Sequence, residues 1–426
     1  MAANALDALR ERGFVQQVTD EAAVRAMFAA GPVVAYVGLD PTADSLHAGS
    51  LVPLMALIHL ERLGHRPIVV LGGGTARIGD PSGKTELREL LPGERIDGNV
   101  TAIAKQVGRW LDFAGRSRCV NNADWLLDLK YVDFLRNIGR HFSVNRMLAA
   151  EAYKQRLERG LSFIEFNYQI LQAYDFLELY RRNRCVLQMG GDDQWGNILA
   201  GVDLIRRLEG VTVQAITFPL LTTATGDKMG KTASGALWLE ASRCRPYDFY
   251  QYWVNVHDAD VGKLLALFTF LPMPEVKAAG GLSGAALNAA KSILAYEVTT
   301  LVHGEDEAKR AHAAAQAAFG GRALPAGILP SSTAPRSTTA AVEEIPTTLL
   351  SSGDVSRGVS LAELLVNTGL ARSKNEARRL IRQQAIYLND AAARDENHMV
   401  TAADFKKRQL LVRAGKKRVH RVLVSS

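Results

Sequence analysis

The chain has 426 residues, 47% of them hydrophobic, which is long enough for two or three domains with buried cores. No apolar run approaches the roughly 20 residues that a membrane helix needs, and the N-terminus lacks the basic and then apolar order of a secretory signal. The three cysteines, Cys119, Cys185 and Cys244, lie far apart without metal-ligand spacing. They fit reduced thiols, so we expect a cytoplasmic protein.

Positive charge is concentrated at the C-terminal end of the chain, although the overall net charge is only +7. The last 73 residues, from Asp354 onward, hold 15 Lys or Arg and 7 Asp or Glu, whereas the rest holds 36 and 37. A basic block attached to a neutral body indicates a polyanion partner, and nucleic acid fits best. A solubilising tail is the alternative.

The first half of the chain predicts a parallel sheet. Residues 33–39 and 67–71 have the pattern of buried strands, with apolar residues at helical spacing between them. A strand pattern returns at 185–189 and is again followed by a helix pattern. This order predicts an α/β fold with a doubly wound parallel sheet. Residues 234–270 and 285–319 are mainly helical in pattern and predict a second, α-rich domain.

The C-terminal quarter changes character twice. Residues 321–356 are rich in Pro, Ser, Thr and Ala, which predicts a linker. Beyond it, Ser373 and Glu376 stand as a capping box at the start of a basic helix. Alternating apolar segments at 385–388 and 409–412 predict short strands. We therefore expect a small α+β domain here.

A polar segment, residues 40–50, joins the first strand to a helix. Free N–H groups at a helix start suit phosphate, and Gly49 lets a nucleotide approach the backbone. Thr42 and His47 can donate hydrogen bonds to phosphate oxygens as charge builds there. Taken alone, His47 is more often an ordinary histidine at a helix start.

Two further motifs contain lysines. Residues 78–85 resemble a phosphate-binding loop, but three residues separate Gly79 from Gly83 where four are required. An exposed turn is an equal alternative. Lys228 and Lys231 flank a glycine in a polar turn and can close on a triphosphate, although a solvated basic turn is the alternative.

A helix pattern at residues 168–175 places three polar residues on one face. Tyr168, Gln172 and Asp175 stand at positions i, i+4 and i+7. Such a stripe usually faces solvent, and a buried polar pocket is the alternative.

Together, in this order and spacing, the motifs resemble the bacterial tyrosyl-tRNA synthetases, a class I aminoacyl-tRNA synthetase family, over nearly the whole chain. The first and last segments match the two class I signatures. The segments that carry the resemblance are residues 40–50, 79–84, 121–125, 168–175, 190–197 and 228–232.

The resemblance implies a Rossmann-type catalytic domain at 1–232, an α-helical domain at 233–320, and an RNA-binding domain at 357–426 after the linker. It implies that tyrosine and ATP form tyrosyl-adenylate and pyrophosphate, and that tyrosine then passes to the 3′ end of tRNA(Tyr). Magnesium is expected to arrive with ATP, with no tightly bound cofactor and no metal site in the protein. The family forms homodimers, and residues 134–148 are a candidate interface.

The resemblance also implies roles for individual residues. Tyr36 and Asp175 would hydrogen-bond the phenolic hydroxyl of tyrosine, and this family is itself a standard example of a site that rejects phenylalanine in this way. The other expected tyrosine-binding residues are Asp80, Tyr168, Gln172, Gln188 and Gln194. The expected ATP-binding residues are Gly38, Asp40, His47, Gly49, Ser50, Gly191, Asp193 and Lys231. The residues expected to stabilise the departing pyrophosphate are Thr42, His47, Lys84, Arg88, Lys228 and Lys231. The residues expected to contact tRNA phosphates are Arg372, Lys374, Arg378, Arg379 and Arg382.

Four positions depart from the family signatures. Ser50 replaces the second histidine of the first signature, and it can still hydrogen-bond although its reach is shorter. Ala48 occupies the second position of that signature. Gly230 and Thr232 stand at the third and fifth positions of the second signature, which keeps both of its lysines.

Three other protein classes share part of this pattern. A tryptophanyl-tRNA synthetase shares the scaffold, but the pair Tyr36 and Asp175 and the basic C-terminal domain argue against it. A small nucleotidylyltransferase shares only the first signature. A non-catalytic RNA-binding protein of the same fold is disfavoured because four residues are intact: Asp80, Lys84, Lys228 and Lys231.

Overall fold

The structure is a computed structural model in two compact units. The first unit contains Met1–Cys244 and Gly262–Val276, and the second contains Arg245–Val261 and Lys277–Ser426. The predicted domain limits stay predictions. The described residues are 4–82, 91–149, 153, 157, 160–224, 226, 229–232, 235–319, 323–337, 345–389, 391–415 and 418–425, of which 231, 232, 235 and 319 are described by backbone alone.

The first unit is built on a six-stranded sheet. In chain order its strands are β1 (Gln17–Val18), β2 (Val34–Leu39), β3 (Arg66–Leu71), β4 (Arg118–Asn121), β5 (Leu187–Gly191) and β6 (Gln214–Phe218). Across the sheet the order is β1-β6-β5-β2-β3-β4, and all neighbours are parallel except β1, which is antiparallel to β6. The predicted doubly wound parallel sheet is confirmed.

Helices connect these strands, and a short ribbon follows them. The helices are α1 (Ala5–Glu11), α2 (Glu21–Ala30), α3 (Leu51–Arg62), α4 (Gly93–Val107), α5 (Ala123–Leu126), α6 (Tyr131–Asn137), α7 (Val144–Leu148), α8 (Phe163–Phe166), α9 (Tyr168–Asn183) and α10 (Trp195–Glu209). The ribbon is β7 (Lys231–Thr232) paired with β8 (Gly235–Ala236). Helix α9 packs along α10, and its Phe176 ring lies 5.3 Å from the Tyr36 ring on β2.

The carboxyl ends of β2 and β5 define the place where a ligand can bind. From β2 the chain moves outward to β3 and β4, and from β5 it moves outward to β6 in the opposite direction. Ligands of such sheets bind in the crevice beyond the carboxyl ends at this switch point. Tyr36 on β2 and Gln188 on β5 are register partners there.

The second unit combines helices with a small sheet. The remaining helices are α11 (Pro246–Val254), α12 (Val261–Phe268), α13 (Met273–Gly280), α14 (Gly284–His303), α15 (Glu305–Phe319), α16 (Ser352–Arg357), α17 (Leu361–Asn367) and α18 (Lys374–Arg382), of which α12 and α13 cross the division between the units. The strands are β9 (Thr347–Leu350), β10 (Val359–Ser360), β11 (Ile386–Leu388), β12 (Ala391–Ala392), β13 (Met399–Val400), β14 (Gln409–Ala414) and β15 (Arg418–Val424). The predicted strands near 385–388 and 409–412 are confirmed as β11 and β14.

The end of the predicted linker belongs to this sheet. The sheet order is β12-β11-β14-β15-β9, and β9 lies parallel to β15. Strand β9 falls inside residues 321–356, so the linker prediction differs from the structure there. Its two threonines and two leucines favour a strand, and Thr348 Oγ1 lies 2.9 Å from His420 Nε2 on β15.

The predicted capping box at α18 is half right. The Ser373 hydroxyl accepts a hydrogen bond from the Glu376 amide at 3.2 Å, as expected. The Glu376 carboxylate, however, accepts from the Arg372 amide at 2.7 Å instead of from the Ser373 amide. One face of the helix is apolar, because Ala377 and Ile381 are fully buried.

Two general features bear on the sequence expectations. All three cysteines are free thiols. Within the described ranges, none of the helices combines the length and the apolar character that crossing a bilayer demands.

Candidate active site

A cleft of about 490 Å³ opens at the carboxyl ends of β2 and β5. Every predicted tyrosine-binding residue lines it, as do Thr42 and the predicted ATP-binding residues other than Lys231. These residues are Tyr36, Gly38, Asp40, Thr42, His47, Gly49, Ser50, Asp80, Tyr168, Gln172, Asp175, Gln188, Gly191, Asp193 and Gln194. Lys84, Arg88 and Lys228 lie outside the described residues, and the Lys231 side chain is not described.

Two polar atoms at the floor of the cleft are buried and have no hydrogen-bond partner among the described residues. They are the Tyr36 hydroxyl and Gln188 Oε1, on neighbouring strands. Burial raises the pKa of Tyr36 well above its usual range, so the hydroxyl keeps its proton and can donate it. An unpaired buried polar group costs about 1–3 kcal/mol, so this floor is suited to a polar group of a ligand.

Asp175 on α9 is the acidic partner of Tyr36. Its charge contributes to the raised pKa of the Tyr36 hydroxyl. Its Oδ1 accepts from Trp125 Nε1 at 2.7 Å, and its Oδ2 accepts from Asn122 Nδ2 at 2.9 Å. Burial raises the pKa of Asp175 to about 7, although both hydrogen bonds favour the charged form. The carboxyl group is therefore held in place and can accept a hydrogen bond from a ligand hydroxyl.

A chain of hydrogen bonds leads from Asp175 to the nucleotide side of the cleft. Asn122 Nδ2 also donates to Thr75 Oγ1 at 3.0 Å. Thr75 Oγ1 donates to Asp40 Oδ1 at 2.8 Å, and the Tyr168 hydroxyl donates to Asp40 Oδ2 at 2.9 Å. Tyr168 thus links the expected tyrosine and ATP sites, which its sequence position did not indicate.

A second network holds the opposite wall. Gln194 Nε2 donates to Asp80 Oδ2 at 2.6 Å, and the Ser82 amide donates to Asp80 Oδ1 at 2.9 Å. Asn197 Nδ2 lies 3.0 Å from Gln172 Oε1 and 3.1 Å from Gln194 Oε1. Asp80 is buried. A carboxylate beside amide oxygens suits an ammonium group, which has three donors and no acceptor.

Sequence reasoning missed several members of these networks. Asn122 and Trp125 lie in the segment 121–125 that carried the family resemblance, but no role had been assigned to them. Thr75 and Asn197 were missed as well. The available signal was that Thr75 lies in the turn after β3 and Asn197 in the first turn of the helix after β5, where functional side chains collect in a parallel sheet.

The first signature forms the mouth of the cleft. His47 precedes a single helical turn, Ala48–Ser50, that leads into α3. His47 Nδ1 accepts from the Gly49 amide at 3.1 Å, so a neutral His47 carries its proton on Nε2 and can donate from there. The Ser50 side chain makes no capping hydrogen bond to α3. Its hydroxyl therefore stands at the cleft without a role in the helix.

Four of the predicted RNA-binding residues lie on α18, and the fifth, Arg372, lies just before its N-cap Ser373. All five basic side chains of that set are exposed. Lys374 pairs with Glu363 at 3.0 Å, and Arg382 lies 3.5 Å from Glu396. In the described part of the chain, Arg378 has no ion pair. This exposed surface therefore carries excess positive charge.

Among the described residues, no three His, Cys, Asp or Glu side chains are grouped in a way that could hold a metal ion.

Comparison with known proteins identifies the family. Residues 29–320 match the family described as tRNA synthetases class I (W and Y), and residues 338–422 match the tyrosine–tRNA ligase SYY-like C-terminal domain. The tyrosine–tRNA ligase of Desulfosudis oleivorans is 53% identical over 98% of both chains, and that of Syntrophus aciditrophicus is 53% identical over 97% of both. The crystal structure of a C-terminally truncated Aspergillus nidulans mitochondrial tyrosyl-tRNA synthetase is 31% identical, with a TM-score of 0.64 over 72% of this chain and 92% of that one. The chain therefore belongs to the class I tRNA synthetases of the tyrosyl and tryptophanyl family, and within it to the tyrosine–tRNA ligases.

Proposed function

We propose that this chain activates L-tyrosine with ATP, releases pyrophosphate, and transfers the tyrosyl group to the 3′ end of tRNA(Tyr). The observation that carries the amino-acid choice is the buried, unpaired Tyr36 hydroxyl beside Asp175 at the floor of the cleft. A phenol hydroxyl accepts from Tyr36 and donates to Asp175. Phenylalanine would leave the Tyr36 hydroxyl buried and unpaired and would give Asp175 no donor, so the site rejects it.

The ammonium group of tyrosine is proposed to bind at the wall formed by Asp80 and Gln172. Gln194 orients the Asp80 carboxylate through the 2.6 Å hydrogen bond. Tyr168 and Gln188 complete this part of the pocket, since both line the cleft. Gln194 is then close to the tyrosine carboxylate, which is the reacting group.

The substrate on the other side is ATP with its magnesium ion. The tyrosine carboxylate oxygen attacks the α-phosphorus, a new oxygen–phosphorus bond forms, and the bond to pyrophosphate breaks with its electrons on the leaving oxygen. No protein nucleophile is required, so catalysis consists of positioning and charge stabilisation. The residues proposed to line the nucleotide are Gly38, Asp40, Gly49, Ser50, Gly191 and Asp193. The residues proposed to stabilise the departing pyrophosphate are Thr42, His47, Lys84, Arg88, Lys228 and Lys231.

The C-terminal module is proposed to hold tRNA through phosphate contacts. The exposed basic face of α18 supports this role, because lysine and arginine side chains neutralise backbone phosphates without reading bases. The proposed residues are Arg372, Lys374, Arg378, Arg379 and Arg382. The proposed cytoplasmic location fits three free cysteines.

A homodimer is proposed with an interface around α6, α7 and α8. Large apolar side chains are exposed there: Tyr131 is 60%, Val132 74%, Val144 57% and Phe163 70% exposed. Exposed large apolar side chains, when they lie together, are typical of an interaction site. Sedimentation velocity is expected to show a dimer that Val132→Asp weakens, and a monomeric wild-type protein contradicts this assembly.

The test of the proposed function is exchange of labelled pyrophosphate into ATP, run separately with tyrosine, phenylalanine and tryptophan. Exchange is expected with tyrosine and at background with the other two. Absence of exchange with all three contradicts the enzyme assignment. Exchange with tryptophan alone would assign the chain to the tryptophan-specific enzymes of the family.

A further inference from the structure

Residues 237–239 of the first unit follow the lysine turn, and their backbone is hydrogen-bonded to the first signature. The Ala48 amide donates to the Leu237 carbonyl at 2.8 Å, and the Leu239 amide donates to the Leu46 carbonyl at 2.9 Å. His47 and Trp238 face one another in this short antiparallel bridge. The same segment is joined to the lysine turn, because the Leu237 amide donates to the Gly230 carbonyl at 2.7 Å.

The side chains of this bridge contact one another and the signature loop. The Trp238 ring lies 6.3 Å from the His47 ring, with the two planes at 64°. The Arg243 guanidinium lies 4.6 Å from the Trp238 ring and pairs with Asp44 at 2.5 Å. Asp44 lies on the same loop as His47, so Arg243 connects the Trp238 ring to that loop.

The backbone of the signature loop does not depend on the Trp238 ring. The buried Gln106 side chain accepts from the Leu46 amide at 2.9 Å, and the Glu240 amide donates to Ser45 Oγ at 3.2 Å. Together with the main-chain bonds of the bridge, these contacts already hold the loop. The His47 side chain, by contrast, is exposed, and the 3.1 Å hydrogen bond that its Nδ1 accepts from the Gly49 amide holds only one edge of the ring. An exposed side chain on a fixed backbone keeps rotamer freedom unless a neighbour restricts it.

We propose that Trp238 is a positioning residue for His47 in adenylate formation. The indole restricts the imidazole so that Nε2 meets the phosphate oxygens, and Arg243 holds the indole in turn. The Arg243–Asp44 pair contributes little by itself, since its side chains are 36% and 56% exposed. This inference rests on the proposed function, because it assigns a part in the adenylation step.

The test compares Trp238→Leu with the full-length wild-type chain in tyrosine-dependent pyrophosphate exchange. The kcat is expected to fall roughly tenfold, as when a group that acts on transition-state charge is slightly misplaced. The dissociation constant of tyrosine, measured by equilibrium dialysis, is expected to stay at the wild-type value. Trp238→Phe keeps a ring against His47 and is expected to recover most of the rate.

A double-mutant cycle with His47→Asn separates positioning from general stability. If Trp238 acts through His47, then Trp238→Leu causes no further loss once His47 is replaced. An equal loss in both backgrounds overturns the proposal, as does a wild-type rate in Trp238→Leu. Should Trp238→Leu fail to fold, Arg243→Gln enters the same cycle, with an expected loss of about twofold because a surface contact is removed.

Phe270 offers a matched control in the same unit. Its ring has the Arg62 guanidinium 3.8 Å away and the His59 ring 5.1 Å away, and it does not line the cleft. Phe270→Leu is expected to leave the exchange rate unchanged, and a comparable loss overturns the proposal. Wild-type protein without tyrosine-dependent exchange contradicts the proposed function itself. Normal wild-type exchange with an unaffected Trp238→Leu contradicts only the positioning role.

Discussion

Removal of the Tyr36 hydroxyl is expected to stabilise the protein while it weakens the choice of substrate. The residue is 2% exposed and its hydroxyl has no hydrogen-bond partner. A buried polar group in that state costs about 1–3 kcal/mol, so Tyr36→Phe is expected to raise the free energy of unfolding by about 1 kcal/mol. The adjacent Asp175 keeps its two donors, because Trp125 and Asn122 hold it from the other side.

The same change removes the donor that a substrate hydroxyl would meet. The ratio of kcat/KM for tyrosine over phenylalanine is therefore expected to fall by roughly tenfold, the loss of one hydrogen bond worth about 1–2 kcal/mol. Stability is measured by urea unfolding with the slope checked for constancy, and discrimination by pyrophosphate exchange with each amino acid. The combination of a stabler protein with poorer discrimination is the diagnostic result.

Tyr250 provides the control for this experiment. It is 1% exposed, but its hydroxyl lies 2.8 Å from His312 Nδ1 and 3.3 Å from the Ser292 carbonyl. Tyr250→Phe removes the hydrogen-bond partner of the buried His312 Nδ1, so it is expected to destabilise by about 1–3 kcal/mol without changing discrimination. The reasoning is refuted if Tyr36→Phe destabilises as Tyr250→Phe does, or if it leaves the tyrosine-to-phenylalanine ratio unchanged.

Three further predictions concern other parts of the molecule. Because the pKa of Asp175 is about 7 in the native state against 3.8 for the ordinary group, the native state holds a proton that the unfolded state has lost between those values. This group therefore makes the free energy of unfolding fall by about 4 kcal/mol as pH rises from about 4 to 7, and then level off. Urea unfolding across that range is expected to show that Asp175→Asn lacks this decrease. A chain ending at Ser337 is expected to retain pyrophosphate exchange but to lose tRNA charging, and equal loss of both contradicts that division of labour. Arg378→Ala is expected to lower the slope of log affinity for tRNA against log salt by roughly 0.9 if that side chain neutralises one phosphate, and an unchanged slope in filter binding excludes the contact.

Most of the catalytic fold was predictable because its strands are buried on both faces. Segments such as β3, in which five of six residues are buried, have a continuous apolar pattern that separates them from the polar turns. The end of the linker was not predictable in the same way. Strand β9 is four residues long, half of its pattern is exposed, and it becomes a strand only because β15 lies beside it. A chain cut between β9 and β15 would separate these two strands, whereas a chain that ends at Ser337 lacks both of them.

The candidate site also contains residues that could be assigned from the sequence and residues that could not. Tyr36, Asp175 and Asp80 were assigned because the segments around them resemble those of the tyrosyl-tRNA synthetases. The partners that orient them, such as Trp125 and Asn197, were not assigned, because a hydrogen bond between residues 50 apart leaves no periodic trace in the sequence. Only the fold brings them together, and the pKa of about 7 for Asp175 depends on that burial.

Two of the departures from the signatures, Ala48 and Gly230, lie close together in the structure. Gly230 has a φ of +82°, a conformation that other residues rarely adopt, so glycine at that position follows from the shape of the lysine turn. A Cβ built there would also lie 3.2 Å from the Cβ of Ala48, which is closer than ordinary contact. A larger residue at position 48 would press on the backbone of the turn in the same place. The small residues at 48 and 230 are therefore one steric arrangement, which lets the loop carrying His47 and the turn carrying Lys231 lie against each other.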